Sequence, residues 1–193
     1  MYPKLIDFEL FGGTVVIGSY GVMVALGYAL AAVVAYRQAK KSNIPGEDML
    51  DLLFWVLVSS VVGSRVFYVI LNFASFSDRL WEIFAFWQGG LVFYGGLIAV
   101  LVSGLVVVKI KHIGYLRAAD AIAPALATGH AFGRLGCFGV GCCWGKITGV
   151  AWAARFSPGA VAYGDLLQLN RLTGADPTTP PLHPVQLYEA AGE

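Results

Sequence analysis

Two arginines lie inside long apolar stretches of the sequence, where a charged side chain is costly. Arg65 and Arg134 each stand in the later part of such a stretch, and a charge near the centre of a membrane span costs about 2.5–3.5 kcal/mol on insertion scales. An arginine keeps its charge and can hold a phosphate through two parallel hydrogen bonds. Tyr20 and Tyr94 fall at a comparable depth in two further stretches. The four side chains predict a pocket for a phospholipid phosphate, although either arginine alone could also extend its head to the lipid headgroups.

Three cysteines, Cys137, Cys142 and Cys143, lie within seven residues in the sequence GRLGCFGVGCCWG. A disulfide from Cys137 to either of the others suits an oxidising compartment. A zinc site needs a fourth ligand, for which His130 or His183 would serve, but the spacing matches no standard pair of zinc-binding cysteines. Small packed thiols in a glycine-rich turn are the third interpretation. The residues alone leave all three open.

The composition is that of a membrane protein. Of the 193 residues, 58% are hydrophobic and 13% are charged, and the mean hydropathy is +0.69. A soluble domain carries about a quarter charged residues. The 13 lysines and arginines balance 12 aspartates and glutamates, so the sequence offers no basic face to nucleic acid. We therefore exclude nucleic-acid binding and expect an integral membrane protein.

Four stretches are predicted to cross the membrane as helices, because about 20 apolar residues span the ~30 Å hydrocarbon core. Their approximate bounds are 14–36, 50–74, 91–108 and 118–138. The fourth is interrupted by Pro124, His130 and Arg134. The sequence thus predicts an all-α polytopic membrane protein in which residues 1–193 form a single integral membrane domain.

Basic residues follow the first and third stretches, at 37–41 and 109–117, and this distribution predicts that both connections are cytoplasmic. The N-terminus and the connection 75–90 are then outside. A polar, turn-rich external segment is predicted over about 145–182. A further helix begins at about 183, with Pro184 suited to its first position. Because the sequence ends inside this helix, we expect it to be part of a longer polytopic protein.

Five segments of the chain resemble prolipoprotein diacylglyceryl transferase, a family of bacterial inner-membrane enzymes, in the same order along the sequence. The segments are IGSYGVMVALGYALA, GSRVFYVI, GGLVFYGGLIA, ADAIAPALATGHAFGRLGCFGVGCCWGK and HPVQLYE. Together they extend over essentially the whole chain. The resemblance implies a multi-pass protein of the bacterial inner (plasma) membrane, which we expect to have its N-terminus outside.

The reaction that the resemblance implies moves the diacylglyceryl group of phosphatidylglycerol to the lipobox cysteine of a secreted preprotein. A thioether forms and glycerol phosphate is released. The expected partners are phosphatidylglycerol, lipobox-containing preproteins and membrane lipid, and we expect neither a cofactor nor a metal ion.

The resemblance also assigns roles to residues of this sequence. Arg134 matches the arginine of the family signature and would stabilise the charge that develops on the leaving phosphate. Arg65 would bind or orient the headgroup, and Tyr20 would line the lipid site. The remaining candidates are Tyr94 and His183 as catalytic groups, and Gly95, Gly96, His130, Cys137, Cys142 and Gly145 at substrate-binding positions.

The sequence departs from the family pattern at three of these positions. Tyr94 replaces a histidine of the family's FHGG segment, and a phenol with a pKa of about 10 is a poor base at neutral pH. Cys137 and Cys142 replace an asparagine and a glutamate, which removes headgroup contacts or a proton acceptor. Two alternatives follow: a transferase-like protein that binds phospholipid with altered or lost chemistry, and a thiol or metal function centred on the cysteines.

Overall fold

The structure of the chain is a computed structural model that describes residues 4–10, 13–76, 80–85 and 89–193, with side chains from residue 18 onward. Within these residues six α-helices carry the fold, which confirms its helical character. They are α1 (Ser19–Lys41), α2 (Gly46–Leu71), α3 (Phe93–Ile110), α4 (Tyr115–Val140), α5 (Val161–Gln168) and α6 (Val185–Gly192). Two short 3-10 helices, Phe73–Phe76 and Leu80–Phe84, follow α2. Residues 77–79 and 86–88 of the predicted 75–90 connection lie outside the described residues.

An antiparallel hairpin precedes α1, formed by β1 (Lys4–Leu10) and β2 (Gly13–Gly18). The first membrane span predicted from the sequence includes the second half of this hairpin. The run Thr14–Gly18 is apolar and rich in β-branched residues, so a strand and a buried helix look alike there. As a result α1 begins at Ser19, five residues later than predicted, and Tyr20 lies in its first turn.

Within the described residues, three helices are long and apolar enough to cross a membrane. They are α1, α2 and α3, with mean hydropathies of 1.7, 1.9 and 2.2 over their most apolar stretches. Only 11% of that stretch of α2 is buried within the protein. Large side chains such as Phe54, Val62 and Ile70 are exposed instead. Apolar faces of this extent are suited to lipid and unsuited to water.

The predicted fourth span is a helix, but its composition separates it from the other three. α4 has 26 residues and contains Pro124, which has no N–H to donate to the preceding turn. The hydroxyl of Thr128 donates to the carbonyl of Pro124 at 2.8 Å. Arg117, Asp120 and Arg134 lower the hydropathy of this helix, which is not among the three candidate spans. Its crossing of the membrane therefore stays a prediction.

The chain divides into two compact units. The central unit comprises residues 35–123, and the terminal unit comprises residues 1–34 and 124–193. Both boundaries fall inside helices, one in α1 and the other at Pro124 in α4.

In the central unit, α2 and α3 pack closely because glycines face one another at their crossing. A Cβ atom on Gly95 would lie 2.3 Å from the Cβ of Phe67 and 2.5 Å from the carbonyl oxygen of Gly63. A Cβ on Gly63 would in turn lie 2.6 Å from the carbonyl oxygen of Gly95. Small residues are the usual means by which membrane helices approach closely. Further along the same crossing, the hydroxyls of Ser59 and Ser103 are 2.7 Å apart.

In the terminal unit, the predicted external segment folds around an apolar cluster of its own. The buried members of the cluster are Phe156, Ala160, Ala162, Leu166 and Leu182, three of them on or beside α5. Leu182 forms isolated β-bridges with Ile147 and Ala154. The segment is thus more than the polar, turn-rich connection that its composition predicted, since its apolar residues are far apart in sequence and meet only in the fold. The predicted helix after residue 183 is confirmed as α6, with Pro184 at its N-cap.

Candidate functional site

Arg134 lies in the terminal unit, where the end of α4 faces α6. Its Nε forms an ion pair with Oε2 of Glu189, and neither of these buried atoms has a hydrogen-bond partner elsewhere among the described residues. One turn earlier on α4, His130 pairs with Glu193 through Nδ1. Glu189 on α6 and Glu193 at its C-cap are four residues apart, as His130 and Arg134 are on α4. Residues at this spacing share a helix face, so an ion pair and a histidine–carboxylate contact join α4 to the segment of α6.

His183 is held beside α6 by two aromatic residues. Its Nδ1 lies 3.0 Å from the hydroxyl of Tyr188, and that hydroxyl accepts a hydrogen bond from the indole N–H of Trp152 at 2.7 Å. The backbone of His183 is also fixed, because the N–H of Gly145 donates to its carbonyl at 3.1 Å. A Cβ on Gly145 would lie 2.8 Å from that same oxygen. Gly145 is thus required for a close approach of two backbones next to His183.

The three cysteines form a compact cluster at the end of α4, and none is in a disulfide. Their sulfur atoms all lie within 4.8 Å of one another. Burial, together with the neighbouring Cys137 and Cys143, raises the pKa of the Cys142 thiol to about 12. Cys142 is therefore a neutral thiol at physiological pH. Of the interpretations left open by the sequence, the disulfide is not formed in this structure.

Tyr20 lies near Arg134 along the α1–α4 contact of the terminal unit. A Cβ on Gly136 of α4 would lie 3.1 Å from Cδ2 of Tyr20, so the ring packs against the helix two residues beyond Arg134. The side chain is 47% exposed. Tyr20, His130, Arg134, His183 and the cysteines thus all belong to one compact unit.

Arg65 lies in the central unit and is 9% exposed. Its guanidinium donates to four backbone carbonyls in the segment that connects α2 with α3. Nε donates to Ile83 at 2.9 Å, Nη1 to Gly89 and Gly90 at 2.7 and 3.2 Å, and Nη2 to Glu82. The rings of Tyr68 and Phe76 flank the charge, with centroids 5.4 and 5.6 Å away. A lipid headgroup would therefore compete with these backbone carbonyls for the guanidinium of Arg65.

Two cavities meet at Arg65. One is polar, has a volume of about 310 Å³, and is lined by Arg65, Tyr68, Ser75, Phe76, Glu82, Gly89 and Gly90. The other is apolar, has a volume of about 510 Å³, and is lined by Val61, Val62, Arg65, Val66, Val69, Ile83 and Phe84. A polar and an apolar compartment that share one arginine suit an amphipathic ligand.

The other predicted residues of the central unit lie at the start of α3. Tyr94 is 67% exposed, and its ring packs edge to face against that of Phe93, with the ring centroids 5.7 Å apart. Gly95 and Gly96 are buried against α2. A Cβ on Gly96 would lie 2.4 Å from Oγ of Ser64. The position of the two glycines explains the helix crossing directly, while their role in substrate binding stays a prediction.

The partners of the predicted cations lie in the final segment of the chain and were not among the predicted site residues. Glu189, Glu193 and Tyr188 follow His183 in the final segment, and Gln186 is fully buried there. Its amide N–H donates to the carbonyl of Cys142, and its Oε1 has no hydrogen-bond partner in the described chain. A signal was present: the spacing of Glu189 and Glu193 matches that of His130 and Arg134.

Apolar helices of spanning length, together with a buried arginine and an ion-paired helix end, define a multi-pass membrane protein with polar sites beside apolar surfaces. The comparison with known proteins then assigns the family. A family model of prolipoprotein diacylglyceryl transferase matches residues 6–193, and the chain belongs to this family. The resemblance inferred from the five sequence segments is confirmed.

Several curated relatives are named phosphatidylglycerol–prolipoprotein diacylglyceryl transferase. The relative from Finegoldia magna is 38% identical over 77% of this chain and 59% of its own length. The relative from Bordetella bronchiseptica is 35% identical over 97% of this chain and 67% of its own length. The relative from Geobacter sulfurreducens is 32% identical over 90% of this chain and 61% of its own length. The chain thus spans about three fifths to two thirds of these relatives.

Proposed function

We propose that this protein transfers the diacylglyceryl group of phosphatidylglycerol to the cysteine thiol of lipobox-containing preproteins. The products are a thioether and glycerol phosphate. The observation that carries the proposal is the family match over residues 6–193. The relatives that match this chain are named for phosphatidylglycerol as donor and prolipoprotein as acceptor.

Arg134 is the group that stabilises the leaving phosphate. The thiolate attacks the glyceryl carbon, the C–O bond breaks, and negative charge develops on the phosphate oxygen, where positive donors have most effect. Arg134 is already paired with one carboxylate, that of Glu189. A phosphate can take the place of that carboxylate, because both groups present two oxygens that accept parallel hydrogen bonds from a guanidinium. Tyr20, packed two residues further along α4, lines the same site.

Arg65 serves the donor lipid by holding the connection between α2 and α3 in place. Its four hydrogen bonds fix the carbonyls of Glu82, Ile83, Gly89 and Gly90. The apolar cavity beside it accepts acyl chains, and the polar cavity accepts a headgroup. Tyr94, exposed at the start of α3, is available for a further contact with lipid or peptide.

His183 takes part through its outer ring nitrogen. The hydroxyl oxygen of Tyr188 accepts from Trp152 and can therefore donate its own proton to Nδ1 of His183. This arrangement selects the tautomer with the proton on Nε2. His183 then presents a donor to the substrate, and Gly145 keeps its backbone at that place.

The proposed location is the bacterial inner membrane, with the N-terminus outside and with α4 as a fourth span. Basic residues at 37–41 and 109–117 support this orientation, because positive loops stay in the cytoplasm. Arg134 would then lie in the outer half of the bilayer, where the cysteine of an exported preprotein emerges.

The test is a transfer assay with the protein in phosphatidylglycerol nanodiscs and a synthetic lipobox peptide. We expect the peptide to gain the mass of one diacylglyceryl group, detected by mass spectrometry of the intact peptide. A peptide with serine in place of cysteine, and nanodiscs of phosphatidylcholine alone, should give no product. Binding of phosphatidylglycerol without any product would contradict the proposal and favour the lipid-binding alternative.

A further inference from the structure

The three thiols of the cysteine cluster are spaced as ligands of one metal ion. Their sulfur atoms lie within 4.8 Å of one another. Around a tetrahedral Zn²⁺ with Zn–S bonds of about 2.3 Å, the sulfurs are about 3.8 Å apart. The difference of about 1 Å is within reach of small side-chain rotations. Thiolate sulfur also selects soft metal ions such as zinc over calcium or magnesium.

The backbone around the cluster holds the thiols together. Cys137 is in the last turn of α4, and its carbonyl accepts from the N–H groups of Gly141 and Cys142 at 2.9 and 3.1 Å. Gly141 and Cys143 both adopt left-handed backbone conformations, with φ of 74° and 54°. Such a conformation is uncommon for a residue other than glycine. It reverses the chain so that the two later cysteines return towards the first.

The protein supplies polar groups next to the cluster. Three thiolates and a divalent ion carry one net negative charge, and the positive charge of Arg134 interacts electrostatically with Cys137 and Cys143. Gln186 is fully buried, its amide N–H donates to the carbonyl of Cys142, and its Oε1 has no partner in the described chain. Groups of this kind orient metal ligands from outside the coordination shell.

The two nearby histidines each use Nδ1 for another partner, and no other described residue is grouped with the three cysteines as a fourth ligand, so the fourth position is open. His130 pairs with Glu193, and His183 with Tyr188. Of the described residues, only the three cysteines are grouped closely enough to share an ion at this place. Three protein ligands and one open position are the arrangement of a catalytic rather than a structural zinc site.

We propose that Cys137, Cys142 and Cys143 bind one Zn²⁺ ion as three thiolates, and that the open fourth position takes the thiol of the acceptor peptide. The second half rests on the proposed function. On binding the ion, the peptide thiol releases its proton to solvent, because a coordinating thiol is deprotonated outright. Its sulfur then forms the bond to the glyceryl carbon while the C–O bond breaks, and the electron pair leaves with glycerol phosphate.

Metal binding is tested without any turnover, on the reduced, chelator-stripped protein in nanodiscs. We expect one equivalent of Co²⁺ to give a sulfur-to-metal charge-transfer band that Zn²⁺ removes, and one equivalent of Zn²⁺ to protect all three thiols from maleimide. Each single Cys→Ser variant removes a metal ligand, so its affinity for Zn²⁺ should fall further than the roughly 10- to 100-fold that follows from loss of an outer-shell partner. His130→Ala and His183→Ala should keep wild-type affinity. No bound metal, metal retained in the triple Cys→Ser variant, or a disulfide that forms in its place would overturn the site.

The open position is tested by adding the lipobox peptide to the Co²⁺-loaded protein. The charge-transfer band should grow with the cysteine peptide, as a fourth thiolate joins, and stay constant with the serine peptide. Transfer at an undiminished rate in the metal-free protein would overturn the assignment of the fourth position and leave the proposed function intact. Growth of the band without any transfer would support the site and contradict the proposed function.

Discussion

Two arginines occupy comparable places near the ends of long helices, and the structure gives them different partners. Arg65 in the central unit donates to four neutral backbone carbonyls and is almost fully buried. Arg134 in the terminal unit pairs with a carboxylate, beside a cluster of thiols. An arginine whose hydrogen bonds all go to backbone carbonyls of the protein stabilises the local fold. A cation paired with one exchangeable anion can bind another.

The largest effect on stability is expected from Arg65→Ala. Four carbonyls would lose their donor, and an unsatisfied buried acceptor costs about 1–3 kcal/mol. Because some of them regain water, we expect a loss of about 3–5 kcal/mol in total, read as a lower midpoint of thermal unfolding in nanodiscs and faster proteolysis between α2 and α3. Arg134→Ala should lower the thermal midpoint less, because one partly exposed ion pair contributes up to about 1 kcal/mol, and it should leave proteolysis between α2 and α3 unchanged. Equal destabilisation by the two variants would remove the distinction between the two arginines.

A somewhat smaller effect is expected from Gly95→Ala in the same unit. The new methyl group would meet the Gly63 carbonyl at 2.5 Å, and overpacking of this kind costs about 1–3 kcal/mol. The matched control is Gly104→Ala on the same helix, where a Cβ meets nothing within 4 Å. Thermal unfolding should be lowered by the first substitution only. If Gly104→Ala destabilises as much, the close crossing of α2 and α3 is not what positions Arg65.

Glu189→Gln tests whether the partner of Arg134 is exchangeable. Without the carboxylate, an incoming phosphate no longer has to displace it from the guanidinium. A partly exposed ion pair contributes up to about 1 kcal/mol, so phosphate binding should gain by about that amount. We therefore expect glycerol phosphate to inhibit transfer about fivefold more strongly in this variant. Glu193→Gln removes the analogous charge from His130 and leaves Arg134 paired, so its inhibition constant should be unchanged. An identical response of both variants would contradict the exchange.

The smallest effect is expected at an exposed ion cluster in the central unit. Lys111 binds Asp51 and Asp48 at 2.5 and 2.9 Å, and these hydrogen bonds raise the pKa of Lys111 above its ordinary value of 10.5. A raised pKa stabilises the fold at pH values below the ordinary one, and this contribution is lost as the pH rises beyond it. Lys111→Met should lower the thermal midpoint slightly at pH 7, and the difference should shrink in high salt and above pH 10.5. A difference that grows with pH would contradict this sign.

The sequence predicted the helices better than it predicted their contacts. The bounds of α2 and α3 were within four residues of those observed, because apolar runs end where a helix leaves the hydrocarbon. It also identified Arg65 and Arg134 as exceptional, since charges inside apolar runs are visible without a structure. It did not distinguish their roles, because the carbonyls around Arg65 belong to a segment of ordinary composition. Glu189 was missed for a related reason: it is 55 positions from Arg134, and only the packing of α6 on α4 joins them.

The rate of thioether formation in wild type and in Arg134→Ala tests the central claim most directly. The measurement follows the intact mass of the lipobox peptide in phosphatidylglycerol nanodiscs, with Arg117→Ala at the other end of α4 as the matched control. Loss of one preorganised donor to a developing oxyanion costs about 10²–10³ in rate, and we predict that loss for Arg134→Ala, with Arg117→Ala close to wild type and all three proteins folded. Equal rates in wild type and Arg134→Ala, or no thioether from wild type, would contradict the account.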